Sequence, residues 1–211
     1  GNFNIPDGIV TGAESARFFA NAIDTETRGF DIVVSHKGAI SDLSFSSDLA
    51  LTFAYTQRVD GINSSSVLAS QAGTYFGERE SYFLETATPR FKANLGHMLQ
   101  GDKWKFFLRN SFFGSVINPD TTPGPTINDT AVSIHPEFGA KILTDMSFGY
   151  DVSENMTLTI GSSNIFDIYP DKSPATTTGN LTSGNNFIYP RVTSQFGING
   201  RTVFARLKFK L

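Results

Sequence analysis

"LSFSSDLALTFAYTQ", residues 43–57, decides the fold class. Leu43, Phe45, Leu49, Leu51, Phe53 and Tyr55 share one parity, while Ser44, Ser46, Asp48, Ala50, Thr52, Ala54 and Thr56 share the other. Successive side chains of a β-strand point to opposite faces, so this period predicts a strand with one apolar and one polar face.

The same period recurs along the chain. Around 22–36 it groups Phe30, Ile32 and Val34, and around 90–100 it groups Phe91, Ala93, Leu95 and Leu99. Around 103–116 Trp104, Phe106, Leu108, Phe112 and Val116 fall together. Around 137–151 Phe138, Ala140, Ile142, Met146, Phe148 and Tyr150 oppose Glu137, Lys141, Asp145, Ser147 and Asp151. Around 155–164 Met156, Leu158 and Ile160 oppose Thr157, Thr159 and Gly161. In "RTVFARLKFKL", 201–211, Val203, Ala205, Leu207, Phe209 and Leu211 oppose Thr202, Arg206, Lys208 and Lys210, with Phe204 alone out of place. The expectation is seven antiparallel up-and-down strands.

Composition agrees. The chain has 211 residues, of which 20 are Phe and 19 Gly, and aromatic strands between Gly-, Asn- and Pro-bearing turns are an all-β pattern. No window holds the roughly 18 apolar residues of a membrane helix. Cysteine is absent, so neither disulfides nor thiolate metal sites are available. A net charge of −3 without a Lys/Arg-rich run argues against a nucleic-acid groove. "GNFNIPDGIV", 1–10, has no initiator Met and none of the features of a secretory signal. We expect a piece of a longer chain, or a processed one.

The connections narrow the fold further. "KGAISD", "GD" and "VSE" are short, whereas 58–89, 117–136 and 165–200 are long, and the two kinds alternate. Structureless loops beyond about 12–15 residues are uncommon in compact soluble domains. Outer-membrane barrels combine short periplasmic turns with long extracellular loops, an apolar face toward lipid and a polar face toward the lumen. Phe53, Tyr55, Phe112 and Phe113 fall at the long-loop ends, and Trp104, Phe148 and Tyr150 near the short-turn ends, as two interfacial girdles require. Single-chain bacterial barrels have an even strand count. Seven strands therefore predict a partner strand upstream.

Three segments then carry a family likeness. "NAIDTETRGFDIVVSH", "LTIGSSNIFDIYPDK" and "SQFGINGRTVFARLKFKL" resemble the C-terminal barrel segments of TonB-dependent outer-membrane receptors, particularly those of Bacteroidota. The matching words are Thr27-Arg28-Gly29 before a periplasmic turn, Asn164-Ile165-Phe166-Asp167 followed by Tyr169-Pro170, and Gly200-Arg201 opening the closing strand. The likeness covers about residues 8–211. It departs from the family at the last residue, commonly aromatic there and Leu211 here.

The resemblance implies that 1–211 is the C-terminal portion of the barrel domain of a TonB-dependent transporter for a scarce large solute: an iron chelate, cobalamin or a glycan. It implies a plugged 22-stranded barrel, and as partners outer-membrane lipid, the remaining barrel and plug, the TonB complex and the barrel-assembly machinery. Val203, Ala205, Leu207, Phe209 and Leu211 belong to the barrel-closing strand. Ligand contacts would come from loop aromatics: Tyr75, Phe76, Tyr82 and Phe83 in the first long loop, Tyr169, Phe187 and Tyr189 in the third.

Other chemistry finds little support. The three histidines, His36, His97 and His135, show no metal-ligand spacing. Glu78 with Glu80, or Asp24 with Glu26, are carboxylate pairs of the kind glycosidases use, but nothing in sequence sets their separation. Nucleophile-elbow, phosphate-loop and dinucleotide motifs are absent. No cofactor and no enzymatic activity are expected. Two alternatives stay open: a soluble carbohydrate-binding β-sandwich with its apolar faces buried against a second sheet, and a stand-alone eight-stranded outer-membrane barrel closed by a strand from 8–20.

Overall fold

The structure, a computed structural model, describes residues 23–63, 69, 76–118, 126–127, 130–131, 135–176, 179–180, 187–190 and 195–210. Seven strands form one antiparallel sheet in simple chain order. They are β1 (Thr25–Ile40), β2 (Leu43–Arg58), β3 (Phe91–Gln100), β4 (Trp104–Phe113), β5 (Lys141–Ser153), β6 (Met156–Ser163) and β7 (Thr202–Phe209). Among the described residues β1 and β7 are the two edges, and the sheet is not closed.

Register keeps the apolar residues in rows across the strands. Ile32, Leu51, Ala93, Phe112 and Ile142 face one another in turn from β1 to β5. Phe45, Leu99, Phe106, Phe148, Ile160 and Ala205 form a second row from β2 to β7. A one-residue slip in any pair would turn that strand's apolar set to the other face.

This apolar face is uncovered. Ile32, Val34, Ile142, Ile160 and Leu207 are exposed, with Ile142 at 55% and Ile160 at 54%. The buried hydrophobic residues among those described, Ala87, Val116 and Phe138, all lie in the long connections, Phe138 at 1% exposure. A sandwich buries its apolar strand faces against a second sheet. The described residues contain no such sheet. The segment 8–20, required by the eight-stranded alternative, lies outside the described residues.

Hydrogen bonding concentrates on the opposite face. Cross-strand bonds there join Thr27 with Thr56 at 2.9 Å, Ser35 to Asp48 at 2.6 Å, Ser111 to Asn94 at 2.7 Å and Thr157 to Asp151 at 2.6 Å. Arg109 pairs with Asp145 across β4 and β5 at 2.5 Å. The misplaced Phe204 has a physical account: it stands opposite Gly161, and its ring occupies the space that a glycine leaves open.

Three strand boundaries differ from the sequence expectation. The "KGAISD" connection is not a loop: β1 runs on to Ile40, and only Ser41 and Asp42 turn, with Ser41 at φ 54°. The fourth strand stops at Phe113 and the fifth starts at Lys141, because Val116–Ile117 and Glu137–Phe138 pair with each other outside the sheet. Gly114 and Gly139 lie at these breaks, as glycine in a strand often does. A short helix, α1 (Glu78–Glu85), also lies in the first long connection, where sequence showed only a loop.

The turns at 41–42, 101–103 and 154–155 are all at one end of the sheet. The connections 59–90, 114–140 and 164–201 are all at the other.

Candidate functional site

The long connections meet in a cap at their end of the sheet. The Gln195 side chain, in the third, donates to the carbonyls of Gly114 and Gly139 in the second. Asp171 accepts from the Gly139 backbone N–H at 2.7 Å and pairs with Lys141 at 2.5 Å. Ile117 N–H bonds to Thr86 O, which ties the first connection to the second. Burial pushes the Asp171 carboxyl up, but the Lys141 hydrogen bond, the Gly139 N–H and the Lys141 charge together bring it below its ordinary value.

The "NIFD" word builds the neck of the third connection. Asn164 at φ 51° and Asp167 at φ 58° take left-handed backbone, which Asn and Asp tolerate better than most residues. The Asn164 side chain accepts from Ile168 N–H at 2.9 Å and donates to Ile168 O at 2.7 Å. Asp167 accepts from Arg201 N–H at 2.7 Å, and the Arg201 guanidinium reaches Ile165 O at 3.3 Å. The end of β6 is thereby latched to the start of β7, which closes the base of the third connection.

The loop aromatics fall in two places. Tyr82 stacks on His135 with centroids 3.7 Å apart, and His135 also pairs with Glu78 at 3.0 Å, so this pair fastens α1 to the second connection. Phe76 lies under the Arg58 guanidinium at 5.5 Å, while Phe83 is exposed. Tyr169 stacks on Tyr189 at 5.8 Å, and the Asp167 charge beside it holds its phenol above the ordinary value. Phe187, Ile188, Tyr189 and Phe196 line a cleft of about 320 Å³ with little polar surface. Phe196 also packs on Phe113, a residue of the polar-face parity, at 5.5 Å. The open cleft thus joins Phe187 and Tyr189 and leaves Tyr82 and Phe76 elsewhere. Its further walls, Ile188 and Phe196, were not among the loop residues that sequence singled out for ligand contact. Tyr75 lies outside the described residues.

On the sheet, Phe53 stacks on Phe30 at 5.5 Å, Phe112 packs on Phe91 at 5.6 Å, and the Arg90 guanidinium lies 4.5 Å over Tyr55, all at the long-loop end. At the other end Trp104 stacks on Phe148 at 6.1 Å and stands opposite Tyr150. On β7, Val203, Leu207 and Phe209 are exposed and Ala205 faces Ile160, while Leu211 lies outside the described residues.

The carboxylate pairs have other partners: Glu80 accepts from Gly77 N–H, Glu26 pairs with Arg28, and Asp24 accepts from Asn63. Among the described residues no three metal-ligating side chains converge. His36 and His97 both pack on Phe45, at 6.2 and 5.9 Å.

No protein-family profile and no curated protein matches the chain. Solved structures do. A mutant ferric enterobactin receptor, PfeA, of Pseudomonas aeruginosa, in complex with enterobactin, aligns with TM-score 0.52 and 16% identity over 87% of this chain and 22% of its own. A second PfeA mutant aligns with TM-score 0.51 at 16% identity over the same shares. The copper transporter OprC aligns with TM-score 0.49 and 14% identity over 89% of this chain and 24% of its own. At these identities the likeness is one of fold, and this chain spans less than a quarter of each receptor's length.

Proposed function

We propose that residues 1–211 are the C-terminal portion of the barrel domain of a TonB-dependent outer-membrane transporter that imports a scarce large solute: an iron chelate, cobalamin or a glycan. The observation that carries this is the uncovered apolar face, held in register across a seven-strand meander whose connections alternate short and long. An apolar face of that extent is stable in lipid and an aggregation hazard in water. The likeness in fold to PfeA supports the same reading.

In this function the apolar face meets the lipid, with Phe53, Tyr55 and Phe112 at one interface and Trp104, Phe148 and Tyr150 at the other. The face bearing Arg109 and Asp145 lines the lumen, opposite a plug supplied by the rest of the protein. β7 closes the barrel against its first strand. Energy comes from the TonB complex acting on that plug, and the assembly machinery inserts the strands. Phe187 and Tyr189, which line one cleft, are the loop residues we assign to cargo contact, whereas Tyr82, stacked on His135, is assigned to holding loops together.

Fractionation of the source cells, with antibody against this chain, tests the reading. The expected band lies in the outer membrane, well above 23.0 kDa. Deletion of its gene should then abolish growth on one class among ferric chelates, cobalamin and glycans. A soluble band at 23.0 kDa would overturn the proposal.

A further inference from the structure

Where the apolar face meets the loop cap, an open cleft of about 430 Å³ lies over Phe91 and Phe112. Those two rings, 5.6 Å apart, belong to the apolar face itself, since Phe112 stands in the row that runs from Ile32 to Ile142. The loop side of the cleft carries Thr88, Arg90, Ser115 and Glu137. It is therefore apolar where it joins the sheet and polar where it joins the cap. A volume of a few hundred Å³ with an apolar floor and a few polar groups is the usual form of a small-ligand site.

Resting on the membrane reading above, we propose that this cleft binds a glycolipid of the surrounding bilayer. An acyl chain lies on Phe91 and Phe112, and the sugar headgroup lies against Thr88, Arg90, Ser115 and Glu137. The headgroup class follows from the polar set. Arg90 offers only donors, Glu137 only acceptors, and the two hydroxyls offer both. Sugar hydroxyls donate and accept at once, so they can satisfy all of these groups. A phosphate diester only accepts, and the Glu137 charge repels it.

The polar wall is held in place. Glu137 stands on the short ladder opposite Ile117. Arg90 is steadied over Tyr55, with weak bonds of 3.4 Å to Glu85 O. Groups already fixed lose less freedom when a ligand arrives.

Native mass spectrometry of the full chain in detergent tests this, with diglucosyl-dioleoylglycerol, dioleoylphosphatidylmethanol and free maltose as probes. The glycolipid should bind about tenfold more tightly than the phospholipid, a difference one or two charge-assisted hydrogen bonds supply. Maltose should show no binding. Glu137→Gln should narrow the preference by strengthening phospholipid binding as the repelling charge goes, and Arg90→Gln should weaken glycolipid binding. Equal binding of the two lipids, a preference intact in both variants, or maltose binding as tightly as glycolipid overturns the proposal. Failure of the membrane reading has a different signature: the chain stays monodisperse without detergent and binds neither lipid.

Discussion

Phe204 covers Gly161 across the β6–β7 pair, with its ring in the place where any other residue would carry its Cβ. The same Cβ would also crowd Ser147 on β5, so the fit joins three strands on one face. Gly161→Val should therefore displace the ring and destabilise the sheet by about 1–3 kcal/mol, the usual cost of overpacking. Urea unfolding of the chain in detergent micelles measures it. The double variant Gly161→Val/Phe204→Ala should recover part of the loss, because the clash is removed along with the ring.

The neck built by Asn164 and Asp167 makes a second prediction. Asn164 is 5% exposed and its side chain bonds both backbone polar groups of half-buried Ile168, so Asn164→Ala leaves a partly buried donor and acceptor without that partner. Each such group costs about 1–3 kcal/mol. Limited proteolysis should cut within 168–199 much faster in this variant, with the sheet itself unaffected. An unchanged cleavage rate would show that the loop base is held by other contacts.

The stretch "NIFD" was legible as a word, but its function as a latch was not. Its partners Arg201 and Ile168 are fixed by a backbone turn that no local period reveals. The strands were legible because a period of two survives wherever one face is apolar, as in 43–57. That period does not say what the apolar face touches. Val116 and Phe138 carry it and are buried in a loop ladder, while Ile142 carries it and is exposed. Helix α1 was hidden for the opposite reason. "ERESYFLE" spans only two turns and has no buried residue to give it an apolar stripe. In the cap, Gln195 reaches Gly114 across 81 positions of the chain, a contact set by topology rather than by neighbours in sequence.

Acid should loosen the cap at Asp171. Its folded value lies below the ordinary one, chiefly because the Lys141 and Gly139 bonds outweigh burial. A carboxyl lowered on folding contributes stability that is fully present above its unfolded value, near 3.9, and is lost as pH falls through the lower folded value. Hydrogen exchange at the Gly139 N–H, which Asp171 accepts, should therefore stay protected at neutral pH and accelerate only below about pH 4. Lys141→Met removes one of the groups that lower the carboxyl, so it should move the onset to higher pH.

Leu51 and Thr52 are neighbours in the middle of β2 that face opposite ways, Leu51 in the apolar row with Ile32 and Ala93, Thr52 between Asp31 and Lys92. A lipid-facing arginine near the bilayer midplane costs about 2–4 kcal/mol, whereas substitutions on a lumenal face are far cheaper. Leu51→Arg should thus cost about that much in a folding equilibrium measured in phospholipid vesicles, and Thr52→Arg should cost less than about 1 kcal/mol, with Asp31 on one side offsetting Lys92 on the other. The same charge is added one residue apart, so net charge and strand propensity cancel from the comparison. Only the surroundings of the two faces differ. If both variants fold equally well in vesicles, the apolar face does not meet lipid, and the assignment of lumen and lipid sides must be abandoned.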